Sequence, residues 1–140
     1  MLINYTTKEL DLLARIMRAE ALAEGNLGML MVGNVVVNRA IAKCLTFKDI
    51  RTITDAIYQK NQFSGTKSSL FNGSATTKEK DLAKRVLRGE YFYPATHALW
   101  FYAPKTGDSC KNKWYDQALA GRYKNHCFYN PDSGVCVELY

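Results

Sequence analysis

Two glutamates near the end of the first predicted helix have the chemistry to move protons. Glu20 follows Ile16 by four residues and Met17 by three, so on a helix its carboxyl stands on or beside the apolar stripe. Apolar neighbours disfavour the charged form, and we therefore expect a raised pKa for this carboxyl. A carboxyl that stays protonated is the general acid that glycoside cleavage requires, although a charged residue at the edge of an amphipathic helix fits the same pattern.

Glu24 lies one helical turn further on and shares the face of Glu20. We expect Glu24 to be solvated near the end of the helix, with a helper role beside an acid as the alternative. The other acidic residues fit caps and loops, so the pattern offers no obvious second catalytic carboxylate.

The elements that position these carboxyls are predicted to be helical. A T-x-x-E capping spacing that starts at Thr6 predicts a first helix over residues 7–24, with Gly25 as its stop. An almost wholly apolar segment predicts a buried second helix over residues 27–43. Within it, Gly33 should let a neighbouring element approach closely.

The rest of the chain is predicted to add two shorter helices and a small sheet. From capping signals and aromatic runs we expect helices over residues 52–59 and 76–88, a polar loop over 61–73, strands at 98–102 and 126–129 that could pair, and a short helix or irregular segment over 114–123. The chain contains no internal repeat and no linker. It is therefore predicted to be a single domain over residues 1–140, of the α+β class and mainly helical, with a small antiparallel sheet.

Composition limits the classes of partner. The 140 residues include 19 Lys+Arg against 13 Asp+Glu, a net charge of +6, which suits an acidic polymer such as cell wall or simply solubility. Because no block of five or six like charges occurs, we expect no nucleic-acid partner. No apolar run approaches the ~20 residues of a membrane helix. The first residues lack a secretory signal, so we expect synthesis in the cytoplasm without one.

The four cysteines are Cys44, Cys110, Cys127 and Cys136. They form no C-x-x-C pair, so a metal site is poorly supported and none is predicted. We expect reduced, partly buried thiols, with a disulfide among the last three if the final location is oxidising. Cys110 upstream of His126 leaves a thiol peptidase or amidase as a further hypothesis.

Aromatic residues gather late in the chain, where exposed rings could stack on sugars. Alternation along a strand should send about half of them to the core and half to a groove. We expect substrate contacts from Trp100, Tyr102, His126 and Tyr129.

Several short motifs follow one another in a specific order. They are the Glu20-Ala21 pair, the Glu24-Gly25 turn, Asn38-Arg39, the Gln62-Phe63-Ser64 element and the closing aromatic segments. This order resembles the spore-cortex-lytic cell wall hydrolases of the SleB/CwlJ type over nearly the whole chain. The chain is most similar to the short CwlJ branch, which lacks a signal peptide and an added peptidoglycan-binding domain.

The resemblance implies a lysozyme-like fold of the lytic-transglycosylase kind, with a groove between the helices and the sheet. It implies that Glu20 is the catalytic acid and that the substrate is spore cortex peptidoglycan containing muramic lactam. Gln62 and Ser64 would hydrogen-bond sugar groups, and Phe63 would form a wall or pack in the core. Asn38 is expected to make a buried structural hydrogen bond.

The resemblance also implies a mechanism and a setting. A lytic transglycosylase can work with one carboxylate, because the muramoyl 6-hydroxyl is the nucleophile. A hydrolytic N-acetylglucosaminidase or muramidase, or a non-catalytic peptidoglycan-binding spore-coat protein, remain the alternatives. A coat anchoring protein would hold the enzyme at the boundary of coat and cortex after synthesis in the mother cell. Calcium dipicolinate would activate it during germination, although the chain has no calcium-loop pattern and no other cofactor is expected.

Overall fold

Helices form the first part of the chain and a sheet forms the last part in the computed structural model, which describes residues 3–60 and 62–140. The helices are α1 (Thr7–Ala21), α2 (Gly25–Ala42), α3 (Ile53–Tyr58) and α4 (Thr77–Leu87). The strands are β1 (Trp100–Tyr102), β2 (Lys113–Trp114), β3 (Gln117–Tyr123) and β4 (His126–Asn130). Met1, Leu2 and Asn61, the first residue of the predicted loop, lie outside the described residues.

The first helix begins as predicted and ends earlier. The Thr6 hydroxyl accepts a hydrogen bond from the Glu9 N–H at 3.1 Å, and the Glu9 carboxylate accepts one from the Thr6 N–H, which completes the capping box. The helix stops at Ala21, and a short 3₁₀ turn (Leu22–Glu24) follows it. The boundary predicted at residue 24 is therefore wrong, because the chain reverses before Gly25. Gly25 has a φ of 81° and starts α2 instead of only ending α1.

Helix α2 is the central element of the core. It is buried along most of its length and packs against α1, α3 and α4. A Cβ at Gly33 would lie 2.9 Å from the Val86 Cγ2 and 3.0 Å from the Met17 Sδ. The prediction that Gly33 permits close approach is confirmed, since α1 and α4 both meet α2 at this point.

Polar side chains of α2 hold the segment that leads into the sheet. The Asn38 amide donates to the carbonyls of Ala95, Thr96 and Ala98 at 2.9 to 3.3 Å, the structural role predicted for it. Asn34 bonds the same segment nearer its start, donating to the Glu90 carbonyl at 2.8 Å. These bonds fix β1 relative to the helices.

The four strands form one antiparallel sheet in the order β1-β4-β3-β2. Trp100 is paired with Tyr129 in the register of β1 and β4, so the predicted pairing of these segments is confirmed. The prediction of a helix or irregular segment over 114–123 is wrong, because β3 occupies most of it. Tyr115 and Asp116, both with positive φ, make the tight turn that returns β3 along β2.

The predicted polar loop over 61–73 is only partly a loop. Two 3₁₀ turns, Ser64–Lys67 and Ser69–Phe71, lie within it. Arginines of α1 hold the second turn, since the Arg15 Nε donates to the Phe71 carbonyl at 2.7 Å. The segment therefore has a fixed place against α1.

All four cysteines are paired, as Cys44–Cys136 and Cys110–Cys127. The expectation of reduced thiols is wrong, because the fold brings the Cα atoms of the pairs to 5.4 and 5.8 Å, within bonding range. The hypothesis of a Cys110 nucleophile also fails, since its sulfur is bonded to Cys127. Among the described residues no three His, Cys, Asp or Glu side chains gather as metal ligands, and no helix is long and apolar enough to cross a membrane.

Candidate active site

A cavity of about 420 Å³ lies where the end of α1 faces the 62–65 segment and strands β1 and β4. It occupies the predicted groove between the helices and the sheet. The polar side chains that line it are Glu20, Arg39, Gln62, Ser64, Tyr102 and His126. Five of these six were predicted as site residues from the sequence, and the structure brings them to one place.

Glu20 projects from the last turn of α1 into this cavity and is half-buried. Burial raises the pKa of its carboxyl, while a hydrogen bond from the Gly65 N–H and the charge of Arg39 partly offset that rise. The raised pKa is the one expected from the place of Glu20 beside the apolar stripe. A carboxyl in this state can hold a proton and deliver it to a group in the cavity.

Gly65 is the residue that allows the Glu20 carboxyl to take this position. A Cβ at Gly65 would meet the Glu20 Oε2 and would lie only 3.1 Å from the Ala19 Cβ. The backbone of the 62–65 segment therefore packs directly on the acid. This role was not predicted from the sequence, although a glycine directly after the Gln62-Phe63-Ser64 element is a visible signal of close approach.

Arg39 is a buried cation beside the acid, with 3% of its surface exposed. Its Nε donates to the Leu99 carbonyl at 2.8 Å, and its guanidinium carbon lies 4.6 Å from the centre of the Phe63 ring. Burial lowers the pKa of the Arg39 guanidinium to about 9, which leaves it charged at neutral pH. From the sequence, Arg39 was recognised only as part of a motif, and no role was predicted for it.

His126 lines the cavity from the start of β4 and is 6% exposed. Its Nδ1 lies 3.7 Å from the Glu24 Oε1. Burial lowers the pKa of the His126 imidazole, and the nearby Glu24 carboxylate partly offsets the fall. The imidazole is therefore neutral at neutral pH and can accept or donate one hydrogen bond in the cavity.

Glu24 is not solvated, contrary to the sequence-based expectation. It is buried, and its carboxylate accepts a hydrogen bond from the Asn125 N–H at 3.0 Å. The cause is the early end of α1, because the 3₁₀ turn directs Glu24 under the turn between β3 and β4 instead of along the helix face. Glu24 thus contacts His126 and does not line the cavity that holds Glu20.

Tyr129 does not reach the cavity, so its predicted contact with substrate is wrong. Its side chain is fully buried, and its hydroxyl donates to the Lys111 carbonyl at 2.7 Å. The reason is strand alternation, since Tyr129 is three residues after His126 on β4 and faces the opposite side of the sheet. Tyr129 is a core residue of the sheet.

The other aromatic residues differ in their access to the groove. Trp100 is mostly buried and borders an adjacent cavity of about 220 Å³, together with Tyr115. Phe63 is 5% exposed, and its ring centre lies 6.2 Å from that of Phe101. Of the two positions predicted for it, the structure therefore shows core packing for most of the side chain. Tyr102 lines the cavity of Glu20 and stacks on Trp114 at 4.3 Å.

Gln62 has the most central position among the predicted binding residues. Its side chain borders the cavity of Glu20, the cavity of Trp100 and a third of about 600 Å³ beside Tyr58. The three cavities therefore meet at Gln62. Glu20 lines one of the three, and the other two extend from Gln62.

The sequence of this chain matches known proteins along almost its whole length. The Cell Wall Hydrolase family matches residues 23–129. Cell wall hydrolase CwlJ of Halalkalibacterium halodurans is 48% identical over 139 residues, which are 99% of this chain and 96% of that protein. Cell wall hydrolase CwlJ of Bacillus subtilis is 43% identical over 138 residues, again 99% of this chain and 96% of that protein.

Solved structures show the same fold. The catalytic domain of the Bacillus cereus SleB protein superposes with a TM-score of 0.71 at 20% identity, covering 91% of this chain and 93% of that one. The catalytic domain of the germination-specific lytic transglycosylase SleB from Bacillus anthracis gives 0.71 at 19% identity, covering 91% and 98%. The lysozyme-like fold predicted from the sequence is confirmed by this likeness.

Proposed function

This chain belongs to the Cell Wall Hydrolase family, and we propose that it cleaves the glycan strands of spore cortex peptidoglycan during germination. As a member of that family it is an enzyme that acts on peptidoglycan. The names of its relatives support the germination setting, since one structural neighbour is a germination-specific lytic transglycosylase. The family match begins at residue 23, so the assignment of the acid depends on the structure of the site.

The observation that carries the proposal is the position of Glu20 in the groove. Its carboxyl lines a cavity between helices and sheet, has a raised pKa and is held by the Gly65 N–H. We assign it as the general acid that protonates the glycosidic oxygen between muramic acid and glucosamine. Protonation of that oxygen lets the bond break through an oxocarbenium-like state.

The nucleophile in this proposal is the muramoyl 6-hydroxyl. Its oxygen attacks the anomeric carbon, the bond to the leaving sugar breaks, and the ionised Glu20 takes the hydroxyl proton. The product is a 1,6-anhydro end, and the acid returns to its protonated form. Among the described residues that line the cavity, Glu20 is the only carboxylate, which supports a route that needs one.

Substrate contacts are assigned to side chains along the groove. Gln62 and Ser64 present amide and hydroxyl groups suited to sugar hydroxyls and acetamido groups. Tyr102 lines the cavity of Glu20, and Trp100 borders the next cavity beyond Gln62, so both are placed to contact a sugar. The neutral His126 contributes a hydrogen bond from the sheet side.

Three parts of the proposal concern the setting in the spore. We place the enzyme at the boundary of coat and cortex, held there by a coat anchoring protein, with calcium dipicolinate as its activator. The family resemblance supports these assignments. Fractionation of spores that carry a tagged chain, with and without the coat, tests the location directly.

The test of the function is mass spectrometry of fragments from lactam-containing cortex digested with the purified protein in the presence of calcium dipicolinate. Wild type is compared with Glu20→Gln, and with Glu138→Gln as a matched change at an exposed glutamate. Anhydro-muramic ends made by wild type and Glu138→Gln alone are the expected result. Reducing ends would mean hydrolysis, and the sugar that bears them would name the bond. No fragments from a folded wild type would overturn the enzymatic proposal and favour a binding protein.

A further inference from the structure

Arg39 has a buried hydrogen-bond donor that no acceptor fills in the part of the chain that the structure describes. It is 3% exposed, and among the described residues its hydrogen-bond partner is the Leu99 carbonyl, which accepts from the Nε. The Nη1 is buried and has no hydrogen-bond partner among the described residues. A buried charge with an empty donor is costly unless a ligand fills it.

The guanidinium is also held in a fixed orientation. Its central carbon lies 4.6 Å from the Phe63 ring centre and 5.0 Å from that of Phe47. The hydrogen bond from the Nε to the Leu99 carbonyl further restricts how the guanidinium can turn. A planar group held by two rings and a carbonyl has little freedom left to lose when it binds, which favours recognition of a defined oxygen.

This guanidinium and the Glu20 carboxyl line the same cavity without touching. Among the described residues Arg39 forms no ion pair, although both charges border the space. An internal salt bridge is the usual way to satisfy a buried arginine. Both groups therefore face the same cavity without an ion pair that joins them.

An arginine fork fits a carbonyl or carboxylate oxygen. N-acetylmuramic acid in peptidoglycan has acyl oxygens of this kind at two positions, the 2-acetamido group and the 3-lactyl group, the latter as a carboxylate or an amide. In muramic lactam the lactyl carbonyl is bonded to the 2-nitrogen in place of the acetyl group. We propose, on the premise of the function above, that Arg39 is a substrate-binding residue that receives an acyl oxygen of the muramoyl unit beside the scissile bond. The contact positions that sugar against Glu20.

Binding to the inactive Glu20→Gln protein tests this assignment without turnover. The first ligand is chitotetraose, whose acyl groups are all acetamido groups. The other two are cortex tetrasaccharides, one with muramic lactam and one with N-acetylmuramic acid whose lactyl carboxylate is free. Affinities are measured by isothermal titration calorimetry for Glu20→Gln alone and with Arg39→Gln added. Arg88→Gln, at an exposed arginine outside the cavity, is the matched control.

We expect Arg39→Gln to weaken binding of the muramoyl glycans by about ten- to hundredfold, the effect of losing a hydrogen bond from a charged donor. Arg88→Gln should leave every affinity unchanged. Loss on all three ligands identifies the acyl oxygen on the 2-nitrogen, which is the acetamido oxygen or, in the lactam, the lactam oxygen. Loss on the two muramoyl ligands alone identifies the lactyl oxygen. Unchanged Kd values for all three ligands would overturn the proposal.

A purely structural role for Arg39 gives a different result. Partial misfolding lowers the binding stoichiometry but not the Kd of the folded fraction. If Arg39→Gln does not fold, Arg39→Lys keeps the charge and loses the fork, and an unchanged Kd in that variant overturns the proposal equally. Glycan affinities that do not change when Arg39 is replaced refute this inference alone. A protein in which Arg39 and Glu20 are intact, but which neither binds glycan nor cuts cortex, refutes the proposed function as well.

Discussion

Replacing Gly65 with alanine should disable the enzyme while leaving most of the fold intact. The added Cβ would meet the Glu20 Oε2 and would lie 3.0 Å from the Glu20 Cδ. The backbone of the 62–65 segment cannot simply retreat, because the adjacent Phe63 is packed in the core. The side chain that moves is therefore the carboxyl of Glu20, which also weakens its bond to the Gly65 N–H.

The size of the effect follows from this geometry. The carboxyl must shift by on the order of 1 Å to restore ordinary contact, and a misplacement of that size costs about 10²-fold in rate. The sugar-binding side chains stay in place, so kcat should fall while KM changes little. Overpacking at a single methyl should cost about 1 to 3 kcal/mol of stability, which a folded domain of this size can absorb.

The assay is the initial rate of fragment release from purified cortex, run beside a thermal melt of each protein. Gly134→Ala is the matched control, because its Cβ would meet only the exposed Asp132 carboxylate at 3.1 Å. That variant should keep the wild-type rate. A Gly65→Ala protein that cuts cortex as fast as wild type would refute the claim that close approach of this backbone positions the acid.

Three further changes test the site and the framework around it. Glu20→Gln should melt at the wild-type temperature in acid and above it near neutral pH. The reason is that the Glu20 pKa is raised in the folded state, so wild type loses stability as the pH rises through that pKa. Melting temperatures of both proteins across this pH range test the prediction, and a constant difference between them would contradict it. Asn38→Ala should lower the free energy of unfolding by about 2 kcal/mol or more in urea titrations, since three carbonyls lose their donor; a smaller loss would mean that water replaces the amide. The double change Cys44→Ser with Cys136→Ser should lower the free energy of unfolding by up to about 4 to 5 kcal/mol, because the disulfide spans 92 residues. Added reductant should lower the melting temperature of wild type more than that of this variant.

The helical part of the fold was predictable because its signals are local. Capping boxes at Thr6 and Thr76 are formed as expected, and α4 has the bounds that its pattern indicated within one residue. The capping spacing fixes where the first hydrogen-bonded turn begins, whatever packs on the helix later. The end of α1 depends on tertiary contacts of Glu24, and that boundary was missed.

The sheet was harder to predict because its turns use uncommon residues. Two-residue hairpins usually show Asn-Gly or a similar pair, which tolerates positive φ. Here Tyr115 and Asp116 take that conformation, so the turn between β2 and β3 carries no local signal. Without a visible turn, the segment after Trp114 gave no reason to predict a strand.

The side of a strand that a residue faces is decided by register, and this explains the two opposite outcomes on β4. The aromatic content of residues 126–129 correctly predicted a strand, but composition alone does not say which rings face the groove. In the register of β1 and β4, Phe128 packs against the middle of α2, whereas Tyr129 packs in a second cluster with Phe47 and Cys136. His126 lies on the cavity face and Tyr129 on the core face, so equal sequence signals led to one residue in the site and one outside it.

The desolvated carboxyl of Glu20 could be predicted from the sequence because of its place on the helix, whereas its neighbours in the cavity could not. Glu20 stands beside an apolar stripe, and that stripe is enough to predict desolvation. Arg39 lies on a helix that is buried on all sides, where periodicity no longer distinguishes one face from another. Its partners, Leu99 and Phe63, lie 60 and 24 positions further along the chain. The signal that the sequence does offer is an arginine on an otherwise apolar helix. Because arginine is rarely buried without a partner, its presence there indicates a binding partner for the guanidinium.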